Sequence, residues 1–232
     1  MSQNALVELP YDFDEVIENL VTEDDEPVEN LISEKQMRLL VEPLYTSWKL
    51  LTDEETPQPR SFLAATDVGI FFTPYQSPIV PDMLLSLDIE PRENFFEKKN
   101  RSYFVWEFGK VPEVAVEIVS NKKGEEVDGK MNRYAKMAVS YYVVFDPLKE
   151  LSDEVLCVYE LGFGGRRYHL RRDYDLPDVG LGLTLWRGEF EEEEFEWLRW
   201  CDADGNLILS GKERAEKAER KLRELGIDPT QI

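Results

Sequence analysis

PEVAVEIVSNKKGEEVDGKMNRYAKMAVSYYVVFDP, residues 112–147, reads as strand, loop, helix, strand. Val114, Val116 and Ile118 fall on one side of an extended run, and Ala115, Glu117 and Val119 on the other, the period of two that marks a strand. Glu117 is therefore a carboxylate among small and apolar neighbours. Burying its charge costs several kcal/mol (roughly, as for any desolvated ion) unless a cation pairs with it. A metal ion, a lysine or a purely structural partner would each answer that cost. Downstream, Asp128 is placed to cap a helix, and Met131, Tyr134, Ala135 and Ala138 recur at helical spacing that packs it on a sheet. SYYVVFDP then reads as a buried strand, and the crossover length suits a parallel neighbour of the strand bearing Glu117.

Working outward, IVPDMLLSLD places Val80, Asp82 and Leu84 on one face of a short strand, with Pro81 arguing for an edge, a bulge or a strand start. Earlier, SEKQMRLLVEPLYTSWKLL predicts a helix capped by Ser33 with Gln36 three residues on, and Pro43 predicts a kink or an early end. FLAATDVGIFF reads as one or two strands broken at Gly69. Towards the C-terminus, VLCVYEL, GFGG and RRYHLRR read as a hairpin, and LTLWRGEF and WLRWCDADGNLIL as further extended pieces. KERAEKAERKLRELG reads as a solvated helix with Glu213–Lys217, Glu216–Arg220 and Glu219–Arg223 pairs. The predicted class is α/β: a mixed sheet flanked by helices, with an antiparallel C-terminal addition and a terminal helix. Residues 1–33 form an acidic lead, 34–190 the core, and 191–232 an acidic segment, hairpin and charged helix.

Composition narrows the chemistry. The single histidine, His169, lies in an alternating run and removes Ser-His-Asp hydrolysis and multi-histidine metal sites. Cys157 and Cys201 have neither disulfide-framework nor zinc spacing and read as structural thiols. No apolar run approaches a membrane span, and the first residues lack a signal-peptide layout, so a cytoplasmic location is expected. The net charge of −21 should repel nucleic acid at long range. Its distribution softens this: no basic residue precedes Lys35, a second acidic block EFEEEEFE spans 189–196, and the stretch between is locally balanced or basic.

Asp82, Glu117 and Lys130, with the backbone carbonyl of Ile118, make an all-oxygen set beside one ammonium group. Such a set suits a hard ion, Mg²⁺ or Mn²⁺, which would polarise a phosphoryl oxygen while Lys130 orients water or offsets charge. Each residue has a plainer alternative: Asp82 as a turn cap, Glu117 paired to Lys130, Lys130 solvated. DADGNLILSGKE imitates a calcium loop at Asp202, Asp204, Asn206 and Glu213, but Leu207 replaces the turn glycine, and a hairpin turn is the better reading.

The ordered set Pro81–Asp82, then ExxS at Glu117–Ser120, Asp128, KxxxY at Lys130–Tyr134 and VSYYVVFDP resembles the Uma family of restriction endonucleases, a branch of the PD-(D/E)xK nuclease superfamily. The resemblance covers roughly residues 60–150. It implies a restriction-endonuclease-like core, Asp82 and Glu117 as metal ligands, DNA as partner and Mg²⁺-dependent phosphodiester hydrolysis. The superfamily lysine position, two residues after the acid, is Val119 here, so the resemblance assigns that charge to Lys130. A first-helix acid, Glu34 or Glu42, could join the site. Pairing into a homodimer would suit cutting of both strands. The rival expectations are a non-catalytic interaction or regulatory module, suggested by Val119 and the net charge, and an acidic mimic of DNA.

Overall fold

The computed structural model describes residues 17, 30–49, 51, 58–90, 92, 94, 96–120, 129–164 and 167–231. The expected cap at Asp128 and nearly all of the acidic lead lie outside them. In chain order the elements are α1 (Leu31–Ser47), β1 (Phe62–Ala65), β2 (Ile70–Phe71), β3 (Met83–Leu87), β4 (Tyr103–Phe104), α2 (Val105–Phe108), β5 (Val114–Ile118), α3 (Met131–Met137), β6 (Tyr141–Phe145), β7 (Leu156–Leu161), β8 (Tyr168–Leu170), β9 (Asp175–Leu176), β10 (Leu181–Phe190), β11 (Glu193–Cys201) and α4 (Gly211–Glu224).

A six-stranded sheet runs in the order β1-β3-β5-β6-β7-β8. Only β5 and β6 are parallel in it, joined by the crossover through α3, and every other neighbouring pair is antiparallel. The alternation in β5 sorts its side chains between two cores. Val114, Val116 and Ile118 pack with Met37, Leu40 and Leu44 of α1. Ala115 and Val119 pack on the opposite face with Tyr134 and Met137 of α3. Each fully buried aliphatic or aromatic side chain here is worth about 1.5–3 kcal/mol over its exposed state.

A second, antiparallel sheet, β11-β10-β9, adds Leu198 and Trp200 to the α1 core. The block 189–196 is the tip of its long hairpin: Glu191 and Glu192 both hold left-handed φ, 50° and 68°, and turn β10 into β11. Those two conformations are what a two-residue hairpin turn of matching twist requires. The predicted turn after Cys201 is also present, with Asp202 Oδ1 accepting from the backbone N–H of Asp204 and Asn206.

Three details differ from the sequence reading. The cap of α1 is Asn30, whose side chain accepts from the Ser33 N–H at 2.8 Å, so Ser33 lies inside the helix. Gln36 is thereby released to clamp the second sheet, exchanging two 2.9 Å bonds with the backbone of Leu198. Pro43 does not end α1, which continues to Ser47. Its cost is the backbone donor that a proline lacks. Finally, Ala138 is not on the packed face of α3 but ends that helix with φ 67°.

Among the described residues no helix is long and apolar enough to cross a membrane, and both cysteines are free thiols.

Candidate active site

β3 and β5 pair antiparallel with Met83 opposite Val116. Asp82 lies one residue ahead of β3, and extending that register by one position sets it beside Glu117. Directly opposed antiparallel residues project from the same face with Cβ atoms ~5 Å apart. The strand pairing thus brings together two acids that are 35 positions apart in the chain. Asp82 Oδ2 accepts a 2.5 Å hydrogen bond from the Ile118 N–H. Val119 donates its N–H the other way, to Phe145 of β6 at 2.8 Å. N–H and C=O of one strand residue point to the same side, so the Ile118 carbonyl faces the Asp82 edge.

The leading turn of α3 closes over Glu117. Lys130 Nζ donates to Glu117 Oε2 at 2.6 Å, and the Tyr134 hydroxyl donates to Oε1 at 2.6 Å. Residues four apart share a helix face, which is how one helix serves both carboxylate oxygens. Glu117 is 1% exposed and the Lys130 side chain 28%. Asp82 is half-buried, so the cluster meets solvent on its Asp82 and Lys130 side.

The electrostatics follow from this geometry. Burial, then the charge of Asp82, push the Glu117 carboxyl up to about 8, and Lys130 and Tyr134 only partly offset them. Burial and the Glu117 charge hold the Tyr134 phenol well above its ordinary value, so it stays a donor. Tyr134→Phe is expected to lower stability by about 1–3 kcal/mol, the range for a buried hydrogen bond to an ionisable acceptor. Denaturant midpoints for the two proteins measure this, and identical midpoints would show that the bond contributes nothing.

The donor set fits a hard divalent ion. It is all oxygen, with two carboxylates and one carbonyl, and Mg²⁺ characteristically takes one or two carboxylates while keeping waters and substrate phosphate as its remaining ligands. Among the described residues no group of three or more His, Cys, Asp or Glu side chains is placed to hold a metal ion.

The sequence-predicted residues Asp82, Glu117, Ile118 and Lys130 therefore meet at one place. Val119 is 3% exposed and part of the α3-side core, and the ammonium group beside Glu117 comes from α3 instead. The first-helix acids have other engagements: Glu34 pairs with Arg38 at 2.9 Å, and Glu42 accepts from the Gly211 N–H at 2.8 Å. Tyr134 is the residue that sequence reasoning left in a packing role. Its signal was the i,i+4 spacing from Lys130.

A mixed sheet flanked by helices, with opposed acids at the ends of two adjacent central strands, defines a protein of restriction-endonuclease-like α/β fold. The Uma2 family model, described as "Putative restriction endonuclease", matches residues 37–185. That is more than half of the chain, and the chain belongs to this family. No curated protein matches it.

Proposed function

We propose that this chain is a divalent-metal-dependent endonuclease that hydrolyses phosphodiester bonds of DNA. The observation that carries the reading is the meeting of Asp82 and Glu117 beside the β3–β5 ladder, where Asp82 accepts from the Ile118 N–H and Lys130 lies 2.6 Å from Glu117. Asp82, Glu117 and the Ile118 carbonyl would hold Mg²⁺ or Mn²⁺. When bound, such an ion supplies Lewis-acid polarisation of a phosphoryl oxygen and lowers the pKa of a coordinated water.

The chain's own groups do the rest. Tyr134 fixes the Glu117 carboxylate by holding Oε1. Lys130 releases Oε2 as the site fills, and its ammonium group is then placed to orient the attacking water or offset charge developing on phosphate.

Incubating the purified protein with plasmid DNA and Mg²⁺ or Mn²⁺ is expected to give nicked or linear product that chelation suppresses. Equal cleavage by wild type and Glu117→Ala would assign the activity to a contaminant and end this reading.

One observation favours a second reading, a non-catalytic interaction module derived from the nuclease fold: both Glu117 oxygens are already bonded within the protein. That reading predicts no metal binding, and calorimetry showing a Mn²⁺ site that disappears with Asp82→Asn would exclude it.

A further inference from the structure

A cleft of about 490 Å³ lies between α3 and the segment that follows β2. Thr73, Gln76 and Ser77 line one side, and Arg133 and Lys136 the other. Among the described residues these two cations are the only charged groups lining it, in a chain whose net charge is −21. Local positive charge favours an anion in this cleft, against the long-range repulsion of the acidic chain around it.

The cleft is built rather than incidental. Ile70 and Ile79 exchange backbone hydrogen bonds at 2.8 and 3.2 Å, closing residues 70–79 into a loop. Arg133 Nη2 donates to the carbonyls of Ser77 and Pro78 at 2.7 and 2.9 Å, docking that loop on α3. A guanidinium carries five N–H donors, so those at Nε and Nη1 are left over from these two bonds in a residue that lines the cleft. Lys136 is exposed. Thr73 and Gln76 add neutral donors.

We propose that this cleft grips the sugar-phosphate backbone of the nucleic acid next to the scissile phosphate, with Lys136 and Arg133 as binding residues. The inference rests on the nuclease reading of Asp82, Glu117 and Lys130 and adds where the strand runs. Lys136 follows Lys130 by six residues, about 9 Å along a helix axis. At ~3.4 Å rise per nucleotide, that spans two or three nucleotides of a duplex strand. Arg133 lies between them in the chain, so the cations descend α3 from the Glu117 end, each about 60° round the helix from the last. Phosphate contacts of this kind set position and affinity and carry no sequence information.

The test is binding of a short labelled duplex to the full chain in chelator, where nothing is cut, across a series of salt concentrations. Lys136→Ala is expected to weaken binding irrespective of DNA sequence and to reduce the slope of log K against log salt by about 1. Lys136→Arg should restore the slope. Lys221→Glu, on the terminal helix, controls for net charge and should leave affinity unchanged. If wild type binds and Lys136→Ala retains both its affinity and its salt slope, or if Lys221→Glu weakens binding as much, the cleft is not the contact and the nuclease reading stands without it. If wild type binds no DNA at any salt concentration, the nuclease reading falls and this inference with it.

Discussion

Glu117→Gln is expected to keep the fold, to abolish metal-dependent cleavage and to remove a particular pH dependence from the stability of the metal-free protein. Glutamine has the same shape, and its carbonyl can accept from Lys130 while its amide donates to the Tyr134 oxygen, so both contacts are kept although the Tyr134 proton loses its acceptor. What disappears is the anionic ligand. Loss of several kcal/mol of transition-state stabilisation corresponds to a rate reduction of roughly 10³-fold or more. The pH signature has a definite sign. The Glu117 carboxyl is raised from an ordinary 4.5 to about 8 by burial and by Asp82. Between those values the native state holds a proton that the unfolded chain has released, so this group's contribution is complete below 4.5 and is lost as pH rises through 8. The slope in that window approaches ~1.4 kcal/mol per pH unit for one proton. Subtracting the Glu117→Gln stability curve cancels the other carboxylates. The difference should fall with rising pH and flatten above 8. Added Mn²⁺ should stabilise wild type increasingly over the same range, because binding displaces the proton, and should leave the variant unmoved. Parallel curves for the two proteins, with or without Mn²⁺, would contradict both the burial of this charge and its use as a ligand.

The sheet centre was legible in sequence because two periodicities were unambiguous there. The alternation of residues 114–119 fixed which face each side chain takes, and the apolar spacing of residues 131–137 fixed the helix that covers Glu117. From these, the parallel pairing of β5 with β6 and the reach of Lys130 follow physically. What the sequence could not supply was register between distant strands. Nothing local to Asp82 says that Met83 aligns with Val116, and it is this alignment that sets the acids opposite each other. The hairpin of β10 and β11 was hidden for another reason: Glu191 and Glu192 make its turn in left-handed conformations usually signalled by asparagine or glycine. The run therefore reads in sequence only as an acidic block, whereas in the structure it is where the chain reverses. The anticipated helix pairs were also local guesses that tertiary structure outbid. Glu219 and Arg223 do pair at 2.7 Å, but Glu213 is taken by a residue of the second sheet.

That capture leads to the largest expected loss of stability. Arg199 is 1% exposed and directs Nη1 and Nη2 to the two oxygens of Glu213 at 2.9 and 2.7 Å. Its Nη2 also donates to the Ile208 carbonyl at 3.1 Å, and the guanidinium lies over the Trp186 ring at 4.8 Å. Arginine cannot shed its proton to escape burial. Glu213→Ala would therefore strand a full charge in the protein, at a cost of about 3–5 kcal/mol. The same carboxylate closes the capping box of α4 by accepting from the Ser210 N–H at 2.8 Å, worth a further ~1 kcal/mol. Glu216→Ala, one turn along the same exposed helix, should change stability by no more than about 0.5 kcal/mol.

Arg199→Met combined with Glu213→Ala separates the pair from its parts. Replacing a buried ion pair by apolar groups is often close to neutral, so the double variant should be more stable than Glu213→Ala alone. Acid provides an independent check. Although burial opposes ionisation, the bonds from Arg199 and Ser210 hold the Glu213 carboxyl below its ordinary 4.5. Its contribution is thus present above 4.5 and lost as pH falls through the lower native value, narrowing the gap between wild type and Glu213→Gln. A double variant no more stable than the single, with a gap that ignores acid, would mean that α4 is merely appended. The expected coupling instead makes the first turn of an otherwise solvated helix the anchor that neutralises the second sheet.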